Sequence, residues 1–84
     1  MASEATIIQQ VEMTVQGQYS KWKIGITDGP ARRRAQLGNP LSWLHWQADS
    51  EEIARAVKHH FLSCGMHKAG RAKSVGHFVY ILLL

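Results

Sequence analysis

The chain has 84 residues, of which ten are Lys or Arg and six are Asp or Glu, giving a formal net charge of +4. A hydrophobic share of 45% excludes a disordered chain, and this length predicts a single domain over residues 1–84. A single cysteine excludes an internal disulfide, and no signal peptide or apolar run of about 20 residues is visible, so we predict a cytoplasmic protein without a membrane partner.

The first segment, residues 4–16, fits two kinds of secondary structure. Apolar residues from Ile7 to Val15 recur with the 3.6-residue period of a helix, with Ser3 as a possible N-cap. Val11, Met13 and Val15 also alternate with polar residues, as in a strand. We predict a helix here, because the apolar set from residue 7 fits the helical period better.

The next segment changes its period and predicts a strand followed by a short helix. Over residues 21–27, Trp22, Ile24 and Ile26 alternate with polar residues or glycine, which is typical of a half-buried strand. A turn ending in proline then leads into a helix over residues 31–37.

The second half of the chain predicts strand, helix and strand. Aromatic residues at Trp43 and Trp46 favour a strand over residues 42–48, and we expect these rings in the core. A capping box over residues 49–52 opens an amphipathic helix, and Gly65 ends it. The inward stripe of this helix is predicted to be Ile53, Val57, Phe61 and Cys64. A long glycine-rich loop over residues 65–76 precedes a last strand over residues 77–84.

The order α-β-α-β-α-β predicts an α/β (α+β) domain in which helices flank a small sheet of about three strands. Within it, the strand Lys23-Ile24-Gly25-Ile26-Thr27 and the arginines of the next helix are the most informative stretch. Glycine inside a strand leaves room for something to approach the sheet closely, and an arginine one turn later presents a planar fork that suits phosphate oxygens. The alternative is a solvated basic turn in which Gly25 only relieves packing.

Taken together, Lys-Ile-Gly-Ile-Thr, the turn ending in Pro30, the paired arginines and Leu37-Gly38-Asn39-Pro40 resemble the GIY-YIG nuclease superfamily over about residues 19–82. The resemblance implies a small sheet flanked by helices that hydrolyses DNA phosphodiesters with one divalent metal. By position, it implies that Gly25 is the family glycine and Arg33 the catalytic arginine. It also implies phosphate contacts from Lys23, Gly25, Arg32 and Arg34.

The chain departs from the family pattern at its other catalytic positions. No first signature strand is recognisable upstream, and Lys23 stands where many members have the tyrosine of the second motif. Tyr19 is therefore the candidate tyrosine. Lys58 stands where the metal-holding glutamate is expected, and a cation repels a divalent ion. We therefore predict nucleic-acid binding, to DNA, with hydrolysis weak or lost, no metal ligand assigned, and Mg²⁺ required only if nuclease activity is retained.

Three further features have a functional and a structural interpretation. Lys58 and the basic loop residues Lys68, Arg71 and Lys73 are predicted phosphate contacts, although a solvated loop explains the loop residues equally well. His60, Cys64 and His67 have spacings seen in zinc sites, but core packing explains the first two better. Finally, the apolar end, residues 81–84, suggests an alternative function: a protein-interaction module that forms a homo-oligomer through the C-terminal strand.

Overall fold

In the computed structural model, which describes residues 2–69 and 75–84, the chain forms three α-helices and a four-stranded mixed sheet. The helices are α1 (Glu4–Val15), α2 (Pro30–Gln36) and α3 (Glu51–Cys64). The strands are β1 (Trp22–Thr27), β2 (Leu44–Gln47), β3 (His67–Lys68) and β4 (Phe78–Leu83). A 3-10 turn, Tyr19–Lys21, leads into β1. The predicted α+β class is confirmed.

The sheet has the order β2-β4-β1-β3. β4 lies antiparallel to both β1 and β2, and β3 lies parallel to β1. The prediction of three strands missed β3, which lies inside the segment predicted as a loop. β3 has only two residues, too few to show an alternating pattern.

Serine caps define where the two long helices begin. Ser3 Oγ accepts from the Thr6 N–H at 3.3 Å, which agrees with the helix predicted for residues 4–16. Ser50 Oγ accepts from the Ile53 N–H at 3.2 Å, so Ser50 is the N-cap of α3. The capping box predicted over residues 49–52 has its N-cap at Asp49, one residue earlier. Gly65, at φ 115°, ends α3 as predicted.

The core lies between one face of the sheet and the helices α1 and α3. Ile24 and Ile26 of β1 meet Val79 and Ile81 of β4 there, together with the buried residues of the two helices: Ile7, Val11, Val15, Ala54, Val57 and Phe61. Cys64, predicted on the inward stripe of α3, is exposed instead, because the helix ends there beside solvent.

The other face of the sheet, which we call the open face, carries the alternate residues of the strands. Alternation and register assign to it Lys23, Gly25, Thr27, His45, Gln47, His67, Phe78, Tyr80 and Leu82. This face holds no carboxylate. α2, which buries none of its residues, follows directly after β1.

The position of the C-terminal strand bears on the predicted homo-oligomer. β4 is hydrogen-bonded to β1 on one side and to β2 on the other. It is therefore an inner strand of the described sheet over residues 78–81, and the edge strands are β2 and β3. A homo-oligomer through the C-terminal strand stays a prediction. No helix in the described part of the chain is long and apolar enough to cross a membrane.

Candidate phosphate-binding site on the open face

The centre of the open face is the contact between Gly25 and Tyr80. The two residues are directly opposite each other in β1 and β4. A Cβ atom added to Gly25 would lie 2.5 Å from Tyr80 Cζ and would also overlap the Tyr80 hydroxyl. Glycine at position 25 is therefore required by the tyrosine ring, which lies flat across the strand. The predicted close approach to the sheet at Gly25 is, in this structure, the approach of Tyr80.

The Tyr80 hydroxyl is the most unusual polar group of this face. Tyr80 is 2% exposed, and its hydroxyl forms no hydrogen bond with any described residue. Burial raises the pKa of Tyr80, and the Arg33 guanidinium partly offsets this rise. Among the described charged groups, Arg33 is the one that shifts this pKa.

Trp43 and His45 hold the other side of Tyr80. The indole ring of Trp43 stacks on the Tyr80 ring, with centroids 4.5 Å apart and planes 15° from parallel. Trp43 Nε1–H donates to His45 Nδ1 at 2.8 Å. Trp43, Tyr80 and Leu82 form a second small apolar cluster, separate from the main core. These aromatic residues fix the ring that carries the free hydroxyl.

Of the predicted phosphate contacts, some lie on the open face and others lie on α2 or on the helix side of the sheet. Lys23 is half-buried on the open face, opposite the exposed His67 of β3. Arg32 is exposed on α2. Arg34 differs from its neighbours, because its Nη2 donates to the Pro40 carbonyl at 3.4 Å and its buried Nε has no partner among the described residues. Arg34 therefore holds the turn after α2.

Lys58 and Lys68 lie on the helix side of the sheet. Lys68 is opposite Ile24, whose side chain belongs to the main core, so the two point to the same face. Lys58, on α3, is 8% exposed, and its pKa is lowered first by burial and then by the nearby Lys68 ammonium. The structure thus separates these two lysines from the open face. Arg71 and Lys73 lie outside the described residues.

Tyr19, the candidate tyrosine from the sequence, lies on the helix side of the sheet. It packs against the main core, with its ring centroid 6.2 Å from that of Phe61. Its pKa is raised by desolvation, by Glu12 and by Cys64, all on the helix side. The tyrosine whose pKa the Arg33 charge shifts is Tyr80. The sequence carried part of the signal for it: a glycine inside a strand indicates a close approach to the sheet, but it does not say which residue makes that approach.

The candidate metal ligands do not converge. His60 Nε2 lies 3.6 Å from Glu12 Oε1 and 3.9 Å from Cys64 Sγ, whereas His67 is on the open face. Over residues 2–69 and 75–84, no group of three or more His, Cys, Asp or Glu side chains could hold a metal ion. Glu51 is used locally, because its Oε1 accepts from the Gly76 N–H at 3.3 Å.

Comparison of the chain with family models, with curated proteins and with solved structures found no match. The similarity to the GIY-YIG superfamily therefore depends on the motif residues alone.

Proposed function

We propose that this domain binds nucleic acid, DNA in particular, by holding a backbone phosphate between Arg33 and the Tyr80 hydroxyl. One observation carries the proposal: the hydroxyl of Tyr80, a residue that is 2% exposed, has no hydrogen-bond partner among the described residues, and the charge of Arg33 lowers its pKa. A phosphate oxygen satisfies both groups, because the hydroxyl donates one hydrogen bond and the guanidinium fork donates two.

The surroundings of Arg33 favour a polyanion over a single small anion. Lys23 extends the cationic surface along the open face, where the imidazole of His67 lies opposite it, and Arg32 extends this surface along α2. No carboxylate interrupts the open face. Several cations spread over one surface are typical of backbone binding, which is independent of sequence and sensitive to salt.

We further propose that β4 takes the place of the signature strand that is not recognisable upstream. The name of the superfamily gives two motifs, Gly-Ile-Tyr and Tyr-Ile-Gly. Val79-Tyr80 in β4 lies antiparallel to Ile24-Gly25 in β1, with Tyr80 facing Gly25. In this arrangement Tyr80, rather than Tyr19, is the tyrosine that works with Arg33. The domain would then be a GIY-YIG-like fold whose signature strand comes last in the chain.

We propose that phosphodiester hydrolysis is weak or lost in this domain. The described residues offer no group of three metal ligands, and no described carboxylate shifts the pKa of Tyr80. Lys58, at the position expected for a metal-holding glutamate, is on α3, on the side of the sheet opposite to the open face. Binding, then, is the activity that the geometry supports best.

The test is fluorescence anisotropy of labelled duplex, branched and single-stranded DNA, repeated across a salt series. We expect Arg33→Ala to weaken binding about tenfold or more, and Tyr80→Phe, which keeps the ring, to weaken it about threefold to tenfold. Arg55→Ala is the matched control, since it removes the same charge from an exposed position on α3.

Equal losses for Arg33→Ala and Arg55→Ala would show that net charge alone drives binding and would contradict the assigned site. An absence of binding even at low salt would overturn the proposed function. A protein-interaction module would then be the better hypothesis.

A further inference from the structure

The bond between Trp43 and His45 makes the site dependent on the protonation state of one imidazole. The indole nitrogen is a donor only, so His45 Nδ1 must accept, and the ring is neutral with its proton on Nε2. Protonation turns Nδ1 into a second donor facing the indole N–H, and the hydrogen bond is lost. We infer that His45 is a pH-sensitive anchor of the Trp43–Tyr80 stack and that its protonation weakens phosphate binding; the second clause rests on the proposed function.

The two rings differ in exposure, and this difference explains how protonation of His45 acts on Trp43. His45 is exposed, so water reaches its imidazole freely, whereas Trp43 is 7% exposed. His45 is the acceptor that Trp43 Nε1 has among the described residues. Once that acceptor is lost, the buried indole N–H is unpaired, which favours displacement of the ring. Because Trp43 stacks on Tyr80, displacement of the indole frees the Tyr80 ring that carries the hydroxyl.

The groups around His45 do not retain the imidazolium in the anchored position. On β4, His45 faces Tyr80 and the edge of the Phe78 ring, whose centroid is 6.0 Å from that of the imidazole. On its own strand, β2, the neighbour of His45 on this face is Gln47. Tyr80, the titratable one of these, stays neutral in the range in which imidazoles ordinarily titrate. The described carboxylates that pair with histidines do so elsewhere, Glu12 with His60 and Asp28 with His77.

If His45 anchors the stack, acid should weaken the binding of DNA, which is the opposite of its ordinary effect on such binding. Protonation of surface imidazoles raises the positive charge of a protein and normally strengthens its binding to a polyanion. Here we expect acidification from about pH 7.5 to about pH 5.5, at constant ionic strength near 0.15 M, to weaken DNA binding about tenfold, which is the effect of one lost hydrogen bond to a buried group.

Three variants isolate the anchor. His45→Asn places an amide oxygen where Nδ1 lies and does not titrate, so acid should no longer weaken binding. Trp43→Phe keeps an aromatic ring but removes the donor, and it should also abolish the acid effect. His59→Asn, at an exposed position on α3 and outside the proposed binding surface, is the matched control and should keep the effect of the native protein. Acid strengthening of binding by the native protein, or an equal pH response in the native protein and His45→Asn, would overturn the inference.

A measurement without DNA separates this inference from the proposed function. The near-ultraviolet circular dichroism of the stacked rings should change over the same pH range in the native protein and stay constant in His45→Asn. Subtraction of the Trp43→Phe spectrum removes the signals of Trp22 and Trp46. If the protein fails to bind DNA but the spectrum titrates, the proposed function is wrong and the anchor stands. A spectrum that is constant with pH in the native protein overturns the anchor itself.

Discussion

At the scale of single residues, the site depends on a glycine that makes room and a tyrosine that fills it. A Cβ at position 25 would lie 2.5 Å from Tyr80 Cζ, and Tyr80 cannot retreat because Trp43 stacks on its other face. We expect Gly25→Ala to lower the free energy of unfolding by about 1–3 kcal/mol, the usual cost of overpacking. Urea unfolding measures this change.

Gly29→Ala is the control for that substitution, because a Cβ at position 29 would meet only ordinary contacts, the nearest being Arg32 Nη2 at 3.5 Å. We expect Gly29→Ala to change stability by less than about 1 kcal/mol. Equal effects of the two substitutions would show that the Tyr80 ring is free to move, and would remove the argument that Gly25 positions it.

At the scale of elements, the sequence predicted those whose signal is local. The period of α3, the alternation of β1 and the glycine after α3 each lie within a few neighbouring residues, and these elements were predicted with the right type and order. β3 was missed because two residues carry no pattern. Gly25 and Tyr80 are 55 positions apart in the sequence, so only the tertiary structure reveals that they pair. Because this pairing is invisible in the sequence, Tyr19, the tyrosine nearest to Gly25 along the chain, was predicted as the candidate tyrosine.

The N-terminus of α3 offers a prediction that separates the predicted cap from the observed one. Ser50 Oγ accepts the Ile53 N–H, so Ser50→Ala should lower the free energy of unfolding by about 1 kcal/mol. Ser20→Ala, at an exposed position, is the control and should have little effect. If Asp49→Ala proves costly and Ser50→Ala does not, the cap lies at residue 49, as the sequence pattern alone placed it.

At the scale of the whole molecule, the sheet separates two chemically different sides. The open face carries Lys23, His67 and Tyr80, and none of the strand residues assigned to it is a carboxylate. Four of the six acidic residues lie on the two helices that cover the other face: Glu4, Glu12, Glu51 and Glu52. This asymmetry favours one orientation toward a polyanion, with the open face toward the phosphates and α1 away from them.

This orientation can be mapped residue by residue by heteronuclear NMR during titration with a short DNA. We expect the largest amide shift changes in β1, β4 and α2, around Gly25, Tyr80 and Arg33, because phosphate binding is proposed there. Amides of α1 should change little, since the core separates that helix from the open face. Shift changes centred on α1 and the outer surface of α3 would place the phosphates on the helix side, and both the assigned site and the charge argument would then be wrong.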